Sequence, residues 1–414
     1  MDVLKIATAG SVDDGKSTLI GRLLYDTKSL TKDKIQAIEE SSKKKGFDYL
    51  DFSLATDGLV AEREQGITID VAHIYFSTPK RSYIIADTPG HVEYTRNMVT
   101  GASTSQASII LVDARKGVIE QTYRHFFINN LLRVKEIVVA VNKMDLVDYS
   151  EKVFDDIKAQ FSELVSKSDF DEKQITFIPI SALNGENIVK QSQEMSWYNG
   201  STILKHLEAL EIDQFKEASQ TRFSVQTSIR PKSDRFHDFR GFAGLVEGGN
   251  FKIGDEVTVL PSLTKSKIKE VHFFDKQYEE ASEGSSVTIT LEDEVNITRG
   301  DILVKSTELP TETKSINANI CWMDNKPLTT GTKYVLQHNT NALTVKIQEV
   351  SHAIATDFSG TYEANELKLN EIGNVQIQLS KAVFTDSYKD NKGNGKFIII
   401  DTQTNYTAGV GFVN

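Results

Sequence analysis

A short glycine-rich stretch near the start of the chain has the residue types and spacing that phosphate binding needs. Two glycines separated by four residues precede lysine and serine, which is the spacing Gly-x4-Gly-Lys-Ser/Thr. Glycines let successive backbone N–H groups point at one anion, Lys16 reaches the β- and γ-phosphates, and the Ser17 hydroxyl binds Mg2+. The pattern predicts a nucleoside-triphosphate site with bound Mg2+. Its residues are Gly10, Ser11, Val12, Asp13, Asp14, Gly15, Lys16, Ser17 and Thr18.

A second motif, Asp87-Thr88-Pro89-Gly90-His91, follows the apolar run 83–86. An acid at the end of a core strand holds Mg2+ directly or through water, and the N–H of a glycine approaches a γ-phosphate closely. We expect His91 to orient the attacking water, as glutamine does in other nucleotide hydrolases. Asp, Pro and Gly also form ordinary turns, so the motif indicates a nucleotide site only in combination with the phosphate loop before it.

Two further motifs predict recognition of guanine. In Asn142-Lys143-Met144-Asp145, which follows the apolar run 137–141, the Asp145 carboxylate can accept hydrogen bonds from N1–H and the 2-amino group. Adenine lacks this donor pair, so a buried acid here would be left without partners and GTP would be preferred over ATP. A backbone N–H within Ser181-Ala182-Leu183, after the run 177–180, could contact the guanine O6.

The segment Gly66-Ile67-Thr68-Ile69-Asp70 lies between the phosphate loop and Asp87. A threonine in a mobile loop at this point can close over the γ-phosphate and give Mg2+ a second hydroxyl, so that the loop is ordered only while the γ-phosphate is present. The alternation of Ile67, Ile69 and Val71 also fits the start of a β-strand. Both interpretations hold together if Thr68 stands at the end of the loop.

Together these motifs resemble the translational GTPase superfamily, whose best-known members are the elongation factors. Within it, the chain resembles the GTPase subunits of bacterial sulfate adenylyltransferases, which are related to elongation factor Tu. Ser11 stands where elongation factors usually carry histidine, and the pair Asp13-Asp14 is seldom found in them. The stretches that carry this narrower resemblance are 10–27, 61–70, 86–91, 94–98, 113–117, 120–122, 195–200 and 239–244.

The resemblance implies GTP hydrolysis on this chain, coupled to a reaction on a separate, smaller subunit. In that family the smaller subunit joins sulfate to the α-phosphate of ATP, which yields adenosine 5′-phosphosulfate and pyrophosphate. We therefore expect GTP, GDP and Mg2+ here and the ATP and sulfate sites on the partner. Closure of the Thr68 and His91 loops would reshape a surface that touches this partner. The chain stops at Asn414, so we expect no fused kinase for the sulfate product.

Two other functions remain open at this point. The first is an elongation-factor-like GTPase that delivers aminoacyl-tRNA; Ser11, the pair Asp13-Asp14 and the run 113–117 weigh against it. The second is a kinase that transfers phosphate to a small acceptor. The motif at 142–145 opposes a kinase, because such an enzyme has no need to recognise guanine.

Composition sets outer limits on function. The chain has 414 residues, enough for two or three domains, and its 25% charged and 39% hydrophobic residues are typical of a soluble globular protein. A net charge of −11 argues against a broad nucleic-acid surface. The single cysteine, Cys321, excludes internal disulfides and fits a reducing cytoplasm. The chain enters a strand almost at once and has no bilayer-length apolar run, so we expect neither signal peptide nor membrane span.

The elements that must position these motifs are predicted from hydrophobic periodicity. Strands at 3–9, 83–86, 137–141 and 177–180 alternate with helices at 18–24, 117–132 and 150–166, and 28–46 reads as a surface helix. We predict an α/β P-loop GTPase domain with a mostly parallel sheet and helices on both faces. Two small all-β barrels follow, because apolar residues then alternate with polar ones; their number rests partly on the resemblance. The predicted bounds are 1–212, 220–308 and 309–414, with a linker at 211–220.

A cluster of aromatic and basic residues in the first predicted barrel has two interpretations. The rings and guanidinium groups could stack on RNA bases. They could also form barrel core together with a loop that touches a partner, which is the interpretation we favour. The residues are Arg230, Arg235, Phe236, Phe239, Arg240 and Phe242.

Overall fold

The computed structural model describes residues 2–44, 46–47, 49–55, 71–90, 95–211, 220–231, 239–274 and 276–414. The chain forms two compact units, residues 1–215 with 355–360, and residues 216–354 with 361–414. Within the described ranges, no helix has both the length and the apolar character that a bilayer span requires.

A six-stranded sheet forms the centre of the first unit. Its strands are β1 (Val3–Ala9), β2 (Ala72–Ser77), β3 (Ser82–Asp87), β4 (Ala107–Asp113), β5 (Glu136–Asn142) and β6 (Ile175–Pro179). They lie in the order β2-β3-β1-β4-β5-β6, and only the β2–β3 pair is antiparallel. Every residue of β4 and β5 is buried, as expected for central parallel strands covered on both faces. The strands predicted at 3–9, 83–86, 137–141 and 177–180 are confirmed to within two residues at each end.

Helices connect these strands. The helix predicted at 150–166 is confirmed at 151–165, where the Ser150 hydroxyl caps it by accepting the Val153 amide at 3.4 Å. The helix predicted from Gly117 begins instead at Glu120, because Ile119 is extended and its amide donates to the Thr122 hydroxyl at 3.2 Å. The helices are α1 (Lys16–Asp26), α2 (Lys32–Lys44), α3 (Thr95–Ala102), α4 (Glu120–Leu131), α5 (Glu151–Val165) and α6 (Ile203–Ala209), with 3-10 turns at Phe52–Ala55, Met144–Val147 and Glu172–Gln174.

The second unit contains two antiparallel barrels, each closed by six strands. The first barrel has strands β7 (Arg222–Ile229), β8 (Gly241–Glu247), β9 (Phe251–Lys252), β10 (Glu256–Leu260), β11 (Thr264–Phe273), β12 (Lys276–Tyr278), β13 (Glu280–Ala281), β14 (Ser286–Leu291) and β15 (Ile302–Lys305). Its ring closes because β10 pairs with both β15 and β11.

The second barrel has strands β16 (Thr311–Trp322), β17 (Leu328–Thr329), β18 (Lys333–His338), β19 (Asn341–Ile354), β20 (Thr361–Tyr362), β21 (Glu366–Leu367), β22 (Ile372–Thr385), β23 (Lys396–Ile400) and β24 (Thr407–Val413). Its ring closes through the pairs of β18 with β19 and β23. An α/β domain followed by two barrels confirms the predicted fold class. The domain bounds 1–212, 220–308 and 309–414 stay a prediction.

The aromatic and basic cluster lies partly in the core of the first barrel. Phe242 is 2% exposed and belongs to the hydrophobic core of that barrel. The Arg240 guanidinium lies 5.8 Å from the centre of the Phe242 ring, and Phe239 packs edge-on against His272. Arg235 and Phe236 lie outside the described residues. The buried ring supports the barrel-core interpretation at Phe242, while the partner contact stays a prediction.

Candidate nucleotide-binding site

The predicted motifs meet at one edge of the central sheet, because each of them follows the carboxyl end of a strand. Register places Thr8 of β1 opposite Asp87 of β3, and Asp113 of β4 opposite Asn142 of β5. Open α/β sheets bind their ligands at this edge. Motifs up to about 170 residues apart in the chain are therefore brought together in one site by the pairing of the strands.

The ammonium group of Lys16 lies inside the phosphate loop. Its Nζ donates to the carbonyl oxygens of Gly10 at 2.7 Å and Ser11 at 3.2 Å, and the residue is 7% exposed. Burial lowers the pKa of Lys16, whereas the negative charges of Asp87 and Asp14 act in the opposite direction. The loop thus holds a buried cation where α1 begins, and the amide-rich N-terminus of a helix favours anions.

A carboxylate within the loop fixes its shape. The Asp14 Oδ2 atom accepts the Ser11 amide at 2.6 Å, and the Lys116 ammonium lies 3.9 Å from Oδ1. Burial raises the pKa of Asp14, and the bond from Ser11 and the charges of Lys16 and Lys116 oppose this. Asp14, the second residue of the pair Asp13-Asp14, therefore stabilises the loop conformation through its hydrogen bond with Ser11.

The second motif packs directly against the phosphate loop. Asp87 is 2% exposed and its Oδ1 accepts the Thr8 hydroxyl at 3.0 Å, while the Thr88 hydroxyl donates to the Thr8 carbonyl at 2.6 Å. A Cβ at Gly90 would lie 2.3 Å from the Gly10 carbonyl oxygen and 2.6 Å from the Lys16 ammonium. Only glycine fits this approach. His91 and Thr68 lie outside the described residues, so their roles stay predictions.

Asn142 joins three loops of the site through one buried amide. Its Nδ2 donates to the Asp14 carbonyl at 2.7 Å, and its Oδ1 accepts the Ala182 amide at 2.9 Å. The side chain is 2% exposed, so neither bond competes with bulk water. The phosphate loop and the 181–183 segment are therefore held at a set distance from β5.

We expect Asn142→Ala to destabilise the protein by about 2 kcal/mol, because it leaves a buried N–H and a buried C=O without partners. Urea denaturation of the nucleotide-free protein measures this change. Asn199→Ala, which removes an exposed amide of the same unit, is the control. A free energy of unfolding equal to that of the unsubstituted protein would show that Asn142 does not hold the loops together.

A cavity of about 330 Å3 lies beside the phosphate loop, and several residues predicted to bind the base line it. From the predicted set it is lined by Gly15, Thr18, Asn142, Lys143, Asp145, Ala182 and Leu183. Met144 and Ser181 are buried and are absent from this lining. The Ser181 amide donates to the Glu186 carbonyl at 3.3 Å, and the Ala182 amide to Asn142. The Leu183 amide makes no hydrogen bond with the described part of the chain.

A charge cluster at the end of β4 supports one wall of this cavity. Asp113 is 1% exposed and accepts Arg115 Nη2 at 2.7 Å, Arg115 Nε at 3.0 Å and Lys143 Nζ at 3.0 Å. Burial alone would raise the pKa of Asp113, but bonds from the two cations lower it well below its usual range. Lys143 and Arg115 are therefore held in place by a carboxylate that stays charged.

Sequence reasoning missed several residues that line the cavity. Arg115 appeared only within the run 113–117, although an arginine just after a strand-end acid was a signal for it. Residues 49–52 carry no predicted role, although aromatic residues recur at positions 47, 49 and 52. The missed lining residues are Tyr49, Asp51, Phe52, Arg115 and Leu146.

Two family models match stretches of the chain. Residues 1–224 match the family model described as the elongation factor Tu GTP binding domain, and residues 315–414 match the GTP-eEF1A C-terminal domain-like model. A solved structure, the Ski7 GTPase-like domain of S. cerevisiae bound to GDP and inorganic phosphate, aligns with a TM-score of 0.56 at 16% identity. The alignment covers 100% of this chain and 97% of that one. This likeness concerns the fold alone.

Curated relatives are similar over the full length. Proteins named sulfate adenylyltransferase subunit 1 from Colwellia psychrerythraea and Pseudoalteromonas atlantica are 46% and 48% identical, over 100% of this chain and 88% and 87% of their own lengths. The protein of that name from Aliarcobacter butzleri is 48% identical over 99% of this chain and 87% of its own length.

Proposed function

Because this chain belongs to the sulfate adenylyltransferase subunit 1 family, we propose that it is the GTP-hydrolysing subunit of a sulfate adenylyltransferase. It couples hydrolysis of GTP to the formation of adenosine 5′-phosphosulfate and pyrophosphate from ATP and sulfate. The full-length similarity to proteins named sulfate adenylyltransferase subunit 1 carries the proposal, and the cavity of about 330 Å3 that contains Asp145 next to the Lys16 loop supports GTP binding. The purine base would occupy the cavity, and its phosphates would lie in the adjoining Lys16 loop.

The buried phosphate loop supports binding of the β- and γ-phosphates. Lys16 offsets their charge with an ammonium already held at 2.7 Å from the Gly10 carbonyl. Because the cation is oriented before the nucleotide arrives, little reorganisation is needed as charge moves to the leaving oxygen. The Cα of Gly90 packs against the loop with no room for a side chain, so its amide can approach and donate to the γ-phosphate.

The oxygen donors near the loop suit Mg2+, which prefers carboxylate and hydroxyl ligands. The Ser17 and Thr68 hydroxyls and the Asp87 carboxylate, directly or through water, would hold the ion. When bound, Mg2+ neutralises part of the charge on the β- and γ-phosphates. His91 orients the attacking water, and Thr68 closes over the γ-phosphate, so both loops respond to its loss.

The cavity supports guanine recognition from two sides. The Asp145 carboxylate accepts hydrogen bonds from N1–H and the 2-amino group, and the amide of Leu183 donates to O6. We assign the O6 contact to Leu183 because the Ser181 and Ala182 amides already have acceptors. Adenine satisfies neither contact, so ATP is excluded here.

The smaller adenylyltransferase subunit is the proposed partner, and it carries the ATP and sulfate sites. Loss of the γ-phosphate changes the Thr68 and His91 loops and, through them, the surface that the partner contacts. We propose a cytoplasmic heterodimer or higher assembly that binds neither nucleic acid nor membrane. The single buried cysteine is consistent with a reducing compartment.

The test is reconstitution with the smaller subunit. We expect formation of adenosine 5′-phosphosulfate from ATP and sulfate to rise when GTP is added and to stay low with GDP. The same preparation is tested for GTP-dependent retention of aminoacyl-tRNA on a filter. Tight retention of tRNA, together with no effect of GTP on sulfate activation, would contradict the proposal.

We expect His91→Ala to slow GTP hydrolysis by about 100-fold or more, the usual loss when a catalytic group that positions or polarises water is removed. GTP binding should stay nearly intact, because the imidazole acts on the water and not on the nucleotide. Single-turnover phosphate release and a titration with a non-hydrolysable GTP analogue separate the two effects. Equal losses of binding and hydrolysis would indicate that His91 is structural.

A further inference from the structure

The segment that follows α2 turns back toward the nucleotide cavity. At the end of α2, the Gly46 amide donates to the Lys43 carbonyl and the Phe47 amide to the Ser42 carbonyl, both at 3.0 Å. Gly46 has a positive φ of 76°. This pair of bonds is a Schellman motif, which ends the helix and reverses the direction of the chain. Residues 47 and 49–52 therefore lie outside the helix.

Two anchors hold the returning segment in place. The Asp51 amide donates to the Ser42 hydroxyl at 2.9 Å, and this hydroxyl in turn donates to the Ile38 carbonyl at 2.8 Å within α2. On the other side, Phe52 is 4% exposed and packs against α1, where its ring lies 5.1 Å from that of Tyr25. The segment is therefore bound to both α2 and α1.

Tyr49 is an aromatic residue of the cavity wall. Its ring stacks on Phe47 with centroids 5.0 Å apart and an angle of 10° between the planes. Tyr49 is 47% exposed and Phe47 is 38% exposed, so both rings are accessible to a ligand. Tyr49 lines the same cavity as Asp145 and Leu183. A ring held by a stacking neighbour offers a flat apolar surface at little entropic cost.

We infer that Tyr49, supported by Phe47, is a base-stacking wall of the nucleotide site and contacts the face of the guanine ring. The inference rests on the proposed function, since it requires guanine in the cavity. Stacking on a base does not depend on the number of phosphates. Tyr49 should therefore strengthen GTP and GDP binding equally, unlike Thr68, which is expected to act only while the γ-phosphate is present.

Isothermal titration with GDP and with a non-hydrolysable GTP analogue tests this contact. Tyr49→Ala is expected to raise the Kd of both nucleotides by roughly 5- to 150-fold, the range found for removal of one base–aromatic stack. Tyr49→Phe keeps the ring and should change either Kd by less than about twofold. The matched control is Tyr75→Ala, which removes a 69% exposed tyrosine of β2 that does not line the cavity.

A spectroscopic readout separates stacking from a structural role. In Tyr49→Trp the new indole should be quenched when GDP is added, whereas in Tyr75→Trp emission should not change. The nucleotide-free Tyr49→Ala protein should still unfold cooperatively, at a temperature lowered only slightly by loss of the Tyr49–Phe47 ring contact. If the unsubstituted protein binds neither nucleotide, the proposed function itself fails. If it binds both, and Tyr49→Ala binds them with unchanged Kd, the inference that Tyr49 stacks on guanine is wrong while the proposed function stands.

Discussion

Replacement of Lys16 by alanine is expected to lower GTP turnover by about 100-fold or more, a loss typical of removing one preorganised electrostatic group. The ammonium is the buried cation that the Gly10 and Ser11 carbonyls hold inside the loop, at 2.7 Å and 3.2 Å. Without it, the Asp14 and Asp87 carboxylates remain close to the site with less positive charge to offset them, and they repel the incoming phosphates. Both binding and hydrolysis therefore suffer.

Phosphate release at saturating GTP and titration with GDP measure the two losses for Lys16→Ala. Lys152→Ala, an exposed lysine at the start of α5, is the matched control and should behave as the unsubstituted protein. Because the loss of a buried, hydrogen-bonded group can also lower stability, urea denaturation is recorded for each variant. A folded Lys16→Ala protein with undiminished GTP turnover would remove the basis for the phosphate-loop assignment.

Substitution of Asp145 by asparagine is expected to exchange guanine preference for xanthine preference. The carboxylate accepts two hydrogen bonds from guanine, whereas an amide opposes the 2-amino group with an N–H of its own. The same N–H can donate to the 2-carbonyl oxygen of xanthine. Since a buried polar group left without a partner is strongly rejected, we expect GTP affinity to fall by about 100-fold or more while XTP affinity rises.

Competition among GTP, XTP and ATP for the Asp145→Asn protein gives the ratio of affinities directly. Asp148→Asn makes the same change of charge three residues later, at a position that does not line the cavity. It should keep the preference for GTP. An Asp145→Asn protein with the original preference would place the guanine contact elsewhere in the cavity.

Much of the site could be predicted because its chemistry is encoded in short, contiguous motifs. The loop at 10–17 and the motif at 142–145 each follow a run of apolar residues, and such runs predict buried strands. Parallel strands bring their carboxyl ends to one edge of a sheet, which is why motifs that each directly follow a strand meet in the structure. The period-two alternation at Val287, Ile289 and Leu291 likewise predicted the barrel strands.

Contacts between distant stretches could not be predicted in the same way. Nothing local marks Asn142 as the residue that joins Asp14 to Ala182, because that role depends on the relative positions of three loops. The contact of Lys143 with Asp113 likewise joins the ends of two strands, and it forms only once β4 and β5 lie side by side.

The amino-acid sequence alone determined the fold class, the phosphate-loop and base-recognition motifs, and the family, because each depends on residue type and on spacing along the chain. Only the tertiary structure decided which amide of 181–183 is left without an acceptor among the described residues and that Tyr49 reaches the cavity. The physical reason is that burial, hydrogen-bond partners and stacking are properties of residues from different elements. They come into being only when the strands pair and the turn after α2 reverses the chain.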